Sequence, residues 1–152
     1  MSSPVKIRAA IRTGLAVLVA FTAFAALTGC NPVYTRQQEE VREQMNHDRR
    51  VYGRSNLPMQ FDAAVKAQAW AEKLARDGRL SHSNLPSGIN VRWCALGENV
   101  GMGPNSIVVQ AAYMKSPAHR TNILSTKWNG VGIGYARRNN TTYTVQVFIK
   151  TC

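Results

Sequence analysis

Hydrophobic residues recur at helical spacing in two stretches of the first half of the chain. In the first, from Gln37 to about Tyr52, Val41, Met45 and Tyr52 share one side, charged residues lie between them, and Gly53 ends the pattern. Apolar residues three, four or seven positions apart lie on one face of a helix, and glycine commonly follows a helix end. The pattern predicts a first helix over about 37–52.

The second stretch predicts a more regular amphipathic helix. We expect Asp62 to cap its N-terminus and Gly78 to end it. Between them runs one apolar stripe, formed by Ala63, Ala67, Trp70 and Leu74. In this interpretation Trp70 packs in the core.

The middle of the chain, residues 79–105, is irregular and rich in glycine and proline, with one short strand predicted within 90–100. Such a long loop inside a small domain usually carries function or is held in place by its neighbours. Ser106 is then expected to cap a third helix that runs to Lys115. Pro117 fits the first turn of a short fourth helix, capped by Ser116 and ending near Leu124.

The C-terminal part alternates with a period of two, as β-strands do. Residues 130–136 alternate large and small side chains, Asn139-Asn140 is a turn signal, and residues 143–149 alternate again. This pattern predicts an antiparallel hairpin with one packed face. Helices combined with short antiparallel strands indicate an α+β layered domain.

The N-terminus has the pattern of a bacterial lipoprotein signal. Three basic residues precede an apolar stretch over 14–27, which is shorter than the roughly 20 residues that a spanning helix needs. The stretch ends in Leu27-Thr28-Gly29-Cys30, which resembles a lipobox whose cysteine is acylated. An ordinary secretory signal with an incidental cysteine is the alternative.

These features divide the chain into a signal peptide (1–29), a lipidated tether (30–36) and one domain (37–152). Lipid on Cys30 would anchor the protein to a bacterial membrane on its extracytoplasmic side. Beyond residue 29 the chain keeps 16 basic and 8 acidic residues. The basic residues are scattered and are not interleaved with aromatic residues, which argues against nucleic-acid binding. Their charge allows attraction to anionic lipid or envelope polymer. A plain soluble surface is the alternative.

Two cysteines remain after Cys30, namely Cys94 and Cys152. In an oxidising compartment two cysteines predict one disulfide bond. A catalytic Cys–His pair is the alternative, but Cys94 has no adjacent base in the sequence and Cys152 is the last residue.

Three short segments carry the candidate chemistry: Ser81-His82-Ser83, Gly97-Glu98-Asn99 and the helix start around His119. Brought together by folding, His82, Glu98 and His119 would form a cluster of two imidazoles and one carboxylate. Such a cluster suits a divalent metal such as zinc, or proton transfer. Alternatively, His82 and Glu98 only bond loop backbone and cap helices.

In their order along the chain these segments resemble the CAP superfamily of cysteine-rich secretory proteins, antigen 5 and pathogenesis-related 1, especially its bacterial SCP-like members. The matching segments are Asn46 with Arg49, Leu57-Pro58, His82, Gly97-Glu98-Asn99, His119-Arg120 with Asn122-Ile123-Leu124, Val131-Gly132-Ile133-Gly134 and Gln146-Val147-Phe148. The resemblance covers nearly the whole of residues 37–152. It implies an α-β-α sandwich with a small antiparallel sheet, and a cleft of histidines and acids that can take up zinc.

The sequence departs from many eukaryotic members at the second acid of the cleft, where Ser116 stands, with Lys115 beside it. One carboxylate fewer predicts weaker metal affinity. The resemblance favours a membrane-tethered binding module for a lipid, an envelope component or a partner protein. A metal-assisted hydrolase using His82, Glu98 and His119 is the alternative, and a purely structural cluster ranks third.

Overall fold

The computed structural model of the protein describes residues 34–152, where four helices and three strands follow one another. They are α1 (Arg36–Val51), α2 (Phe61–Asp77), β1 (Trp93–Gly103), α3 (Ser106–Lys115), α4 (Pro117–Leu124), β2 (Gly130–Arg138) and β3 (Thr141–Thr151). The predicted signal peptide, Cys30 and the tether up to residue 33 lie outside the described residues. Residues 34–152 have their own hydrophobic core, so we expect this part of the chain to fold independently.

The three strands form one antiparallel sheet in the order β1-β3-β2. The predicted hairpin is present, and its turn consists of Asn139 and Asn140, which both have positive φ angles. Asparagine tolerates this left-handed conformation better than most residues, and the turn's twist matches that of the strands. β3 therefore lies in the centre of the sheet, and β1 is an edge strand.

One face of the sheet is covered by α2 at very short range. A Cβ atom added to Gly132 would lie 1.9 Å from the carbonyl carbon of Ala63, and one added to Gly134 would lie 2.0 Å from the carbonyl oxygen of Ala67. The small residues of both elements let the helix backbone rest on the strand. Behind them a wholly apolar core is formed by residues that include Leu74, Val145, Val147 and Ile149.

The other face of the sheet packs against α1, α3 and α4. Its apolar core contains Val41 and Met45 of α1, Tyr113 of α3, Ile123 of α4 and, from the sheet, Val131, Ile133 and Phe148. Helices on both faces of an antiparallel sheet confirm the predicted α+β fold and its α-β-α layers. Among the described residues, no helix is long and apolar enough to cross a membrane.

Three local predictions were wrong. The N-cap of α2 is Gln60, whose side chain accepts from the Ala63 N–H, while Asp62 instead accepts from the backbone N–H groups of Asn90 and Val91. α3 is capped by Asn105 and not by Ser106, which is its first helical residue. The short strand expected within 90–100 begins there, at Trp93, but runs on to Gly103 because it pairs along the whole of β3.

The fourth helix and the disulfide bond agree with the sequence. α4 begins with Pro117 after Ser116, although the Ser116 side chain makes no capping hydrogen bond. Cys94 and Cys152 are joined, with their Cα atoms 5.2 Å apart. The bond ties the end of β3 to the start of β1 and closes a loop of 58 residues, which in the chain-entropy model stabilises the fold by about 4 kcal/mol.

Candidate functional site

The loop between α2 and β1 is held by side chains of α2, and this fixes the position of His82. The indole N–H of Trp70 donates to the carbonyl of Ser81. Lys66 donates to the carbonyls of Asn84 and Ser87. With Asp62 binding the end of the loop, α2 supplies three separate anchors. The half-buried Trp70 thus packs against the core, as predicted, and also orients the loop.

His82 and Glu98 meet at the edge of the sheet. The Nδ1 atom of His82 lies 2.7 Å from Oε1 of Glu98, which also accepts the Ser83 N–H at 3.0 Å. The Glu98 side chain is 3% exposed, whereas that of His82 is 63% exposed. An ionised Glu98 requires the proton of a neutral His82 to sit on Nδ1, so Nε2 is the nitrogen left with a free lone pair.

His119 lies in the first turn of α4, as predicted, on the opposite side of β1 from α2. Its ring packs at a tilt on the ring of Tyr113, with centroids 5.0 Å apart. Burial lowers the pKa of His119, and the nearby charge of His82 lowers it further. The neutral imidazole is therefore favoured near neutral pH, which suits a base or a metal ligand.

The two imidazoles and the carboxylate of the cluster are donors that suit zinc. Within residues 34–152 no three His, Cys, Asp or Glu side chains come together as a group that could share one ion. One oxygen of Glu98 is occupied by His82 and Ser83, and the other, Oε2, is buried without a partner. A carboxylate that orients a histidine through its second nitrogen is typical of the outer shell of metal sites. The metal site itself stays a prediction.

Ser116 and Lys115, which stand near the expected second acid, lie at the junction of α3 and α4. Ser116 is half-buried as the residue between the two helices, and Lys115 is exposed. Neither supplies a carboxylate to the cluster.

Beneath the histidines, four side-chain amides form a continuous hydrogen-bonded chain. Asn122 donates to Asn99 at 3.0 Å, Asn99 to Gln146 at 3.0 Å, and Gln146 to Gln110 at 2.8 Å. Gln110 then donates to a carboxylate oxygen of Asp48 at 2.7 Å. In each of these four bonds the N–H points toward the Asp48 carboxylate, and successive hydrogen bonds in such a chain polarise one another.

The chain of amides, which we call the amide chain (Asn122, Asn99, Gln146, Gln110), also touches the candidate site. Asn99 donates to the carbonyl of His119, and Asn122 lies 3.4 Å from the carbonyl of Glu98. The close fit depends on Gly97, because a Cβ atom there would lie 2.9 Å from Trp128 and 3.3 Å from Asn122. The backbone at both site residues is thus positioned by buried amides.

At its far end the amide chain reaches a groove between α1 and α3, which we call the α1–α3 groove. Its volume is 790 Å³, within the range of small-molecule sites. Ile107, Ala111 and Met114 of α3 supply apolar surface, and Ile107 is 67% exposed. Lys115 and Arg120 line it where α3 passes into α4.

The sequence did not identify the amide chain or the groove. Asn99, Asn122 and Gln146 fell within the matching segments but were given no role, and Gln110 was not singled out. Gln146 gave no clear signal, because it follows Thr142 and Thr144 at the polar positions of the alternation of β3.

Comparison with known proteins identifies the family. The family model described as "Cysteine-rich secretory protein family", or CAP, matches residues 42–150. No curated protein sequence matches this chain.

Solved structures agree on the fold. An outer surface protein from Borrelia burgdorferi aligns with a TM-score of 0.68 and 17% identity, over 79% of this chain and 97% of that one. An extracellular SCP-domain protein from Bacillus anthracis aligns with a TM-score of 0.63 and 20% identity, over 76% of this chain but only 40% of that one. Venom allergen-like protein 4 from Schistosoma mansoni aligns with a TM-score of 0.62 and 12% identity, over 76% and 89%.

At these identities the structures show a shared fold and nothing finer. Together with the family match over residues 42–150, they confirm the resemblance drawn from the sequence. The chain belongs to the cysteine-rich secretory protein (CAP) family.

Proposed function

We propose that the protein is a binding module that acts outside the cytoplasm and holds a single-chain anionic lipid in the α1–α3 groove. The observation that carries the proposal is the groove itself. Its apolar side chains, above all Ile107, stay open to water although they belong to a folded helix. Exposed apolar surface in a concave site commonly marks a ligand site.

The two cations where α3 passes into α4 favour a ligand with an anionic head group. Of the three carboxylates that line the groove on α1, those of Glu40 and Glu43 are paired with Arg36 and Arg50, and that of Asp48 accepts from Gln110. Lys115 and Arg120 have no carboxylate within 4.0 Å among residues 34–152. An acyl chain would cover the apolar residues while its carboxylate faced these two cations.

The proposed location rests on the N-terminal signal and on the disulfide bond. Disulfide bonds persist in oxidising compartments, and Cys94–Cys152 is formed. Similar folds occur in proteins described as an outer surface protein and an extracellular protein. Lipid on Cys30 would then hold the module at a membrane, where amphipathic ligands are abundant. Envelope polymers and partner proteins are the other occupants to test.

A matched pair of variants tests the groove. In Ala111→Trp a large side chain fills the groove, whereas Ala112→Trp places the same side chain on the next residue of α3, which is also exposed but does not line the groove. With residues 32–152 and a fluorescent fatty acid, we expect binding to be lost in the first variant and kept in the second. Equal binding by both variants, or no binding by the parent domain, would refute the proposal.

Metal-assisted hydrolysis is the second candidate, and the observation that favours it is the His82–Glu98 bond. That bond leaves Nε2 of His82 free, close to a His119 whose pKa is lowered. Bound zinc would supply Lewis acidity at these two imidazoles. Glu98 would hold the orientation of His82.

A zinc titration followed through the three histidine side chains by NMR tests the second candidate. Joint shifts of His82 and His119 at micromolar zinc, with exposed His47 of α1 unchanged, would support a shared site and justify hydrolase assays. Unchanged signals, or an equal drift of all three histidine signals, would rule out a shared metal site at His82 and His119.

A further inference from the structure

A second cavity lies along α4, on the side opposite to the histidine cleft, and its surroundings are unusually cationic. We call it the Arg54 pocket: it has a volume of 590 Å³ and is lined by Arg54, by Arg120, Thr121 and Leu124 of α4, and by Ser125 and Thr126. No carboxylate is among its lining residues. The lining therefore carries two positive charges and no negative one.

A third guanidinium lies buried beside the pocket. Arg49 is 2% exposed and donates to the backbone carbonyls of Ser55, Ile123 and Ser125. Burial lowers the pKa of Arg49, and the charge of neighbouring Arg54 lowers it further. Carbonyl oxygens accept from its Nε and Nη1 atoms but leave its charge without a counterion.

Unlike Arg49, the other arginines of α1 each have a carboxylate partner. Arg36, Arg42 and Arg50 each form an ion pair with a glutamate of the same helix. Within the described part of the chain, Arg49, Arg54 and Arg120 have no carboxylate within 4.0 Å. Two guanidiniums without a carboxylate partner thus line the cavity, and the charge of Arg54 opposes that of Arg49 buried beside it, which costs free energy unless an anion enters.

Two of the lining groups are already oriented. Arg120 stacks over the ring of Tyr52, with Cζ 4.5 Å from the ring centroid. The hydroxyl of Ser125 accepts from the Lys127 N–H, so its own proton is free to donate. Thr121, by contrast, donates its hydroxyl proton to the Pro117 carbonyl. A preoriented guanidinium and a free hydroxyl form charge-assisted bonds to oxyanions at a small cost in entropy.

The geometry points to the Arg54 pocket as a binding site for a phosphate oxyanion, either free or carried by a lipid head group. A phosphate monoester has nearly two negative charges at pH 7, which would balance Arg54 and Arg120. The site does not depend on the proposed lipid groove, although Arg120 borders both cavities.

The first test is a titration of residues 32–152 with inorganic phosphate at constant ionic strength, followed by the NMR signals of Ser125 and of the arginine Nε–H groups. We expect saturable shifts, and in Arg54→Gln an affinity about tenfold weaker, because one charge-assisted pair is lost. Arg137→Gln is the matched control, an exposed arginine on β2 away from the pocket, and should keep the parent affinity.

Two controls make the titration more specific: chloride at the same ionic strength, and the variant Ala111→Trp. Chloride should not reproduce the shifts, and Ala111→Trp should bind phosphate as the parent does, which separates this site from the groove. Competition by phosphatidylglycerol vesicles, but not by phosphatidylcholine vesicles, would identify the lipid as the source. Unsaturable shifts, or equal affinities of Arg54→Gln and Arg137→Gln, would overturn the proposal.

Discussion

The two faces of the central sheet are built in different ways. Toward α2, the side chains of β3 are Val145, Val147 and Ile149, and the glycines of β2 let the helix backbone touch the strand. Toward α1, α3 and α4, the same strand presents Phe148 together with the buried amide Gln146. The strand thus alternates between an apolar face and a partly polar one.

The difference shows which face of the sheet is built at a cost in stability. Burying an amide is unfavourable unless all its hydrogen bonds are made, and an apolar core would serve packing equally well. On the second face the amides support the backbone of Glu98 and His119, and both cavities that we propose as ligand sites lie beside its helices. The core toward α2 is apolar, although α2 also anchors the His82 loop. The other face combines an apolar core with the amide chain.

The largest expected effect comes from breaking the apolar face. Gly132→Ala places a methyl group 1.9 Å from the backbone of Ala63, where no side chain can move aside, so α2 must leave the sheet. We expect the free energy of unfolding to fall by more than about 4 kcal/mol, or the domain not to fold. Circular dichroism with thermal unfolding measures the change.

Gly103→Ala is the control for this variant. Its added methyl would lie 3.1 Å from the Val109 side chain and at ordinary contact distance from Val108 and the Asn105 carbonyl, so its loss of stability should be much smaller. Equal loss in both variants would contradict the close contact between α2 and β2.

A smaller but more informative effect is expected on the polar face. Gln146→Leu leaves the Asn99 N–H and the Gln110 oxygen buried without partners, and each costs about 1–3 kcal/mol. If these bonds were unimportant, leucine would be neutral or stabilising at this buried position. Urea unfolding distinguishes the two results.

The double variant Gln146→Leu/Gln110→Leu sharpens the test. Since the second change removes one of the stranded partners, we expect it to cost less than the sum of the two single changes. Strict additivity would show that the two amides act independently.

The smallest expected effect concerns pH. Because the folded pKa of His119 lies below its ordinary value, the unfolded chain binds more protons between the folded pKa and about pH 6.5. Stability is therefore highest above this window and falls as the pH drops through it. His119→Gln should flatten the fall in melting temperature between pH 7 and pH 5, whereas His47→Gln, at an exposed position on α1, should keep it. An unchanged slope in His119→Gln would argue against the neutral imidazole.

Local patterns predicted most of the elements but not their partners. The alternation of β2 and β3 and the stripe of α2 were sufficient to predict an α+β layered domain, whereas the α-β-α sandwich was implied by the family resemblance. Asp62 was misassigned because an acid at a helix start can cap it or bind elsewhere, and here it binds residues 90 and 91. Asn105 and Ser106 are adjacent, so a shift of one residue in the start of α3 decides which of them is the N-cap.

The candidate site was found through its histidines and Glu98, whereas its support was not. The amide chain joins residues 36 and 47 positions apart, and Gln110 in sequence resembles any residue on the polar face of a helix. The groove could not be predicted from the sequence either, because the angle between α1 and α3 decides whether Ile107 faces the core or solvent. Such contacts follow from tertiary packing, which no short pattern encodes.

The most direct test of the account uses a spin-labelled fatty acid and the NMR amide signals of residues 32–152. Both the α1–α3 groove and the outer face of α2 expose apolar side chains, Ile107 on one and Val65 on the other. We predict paramagnetic broadening at Ile107, Ala111 and Met114, with Val65 and its neighbours unaffected. Broadening on α2, or none on α3, would contradict the claim that the polar side of the molecule carries its function.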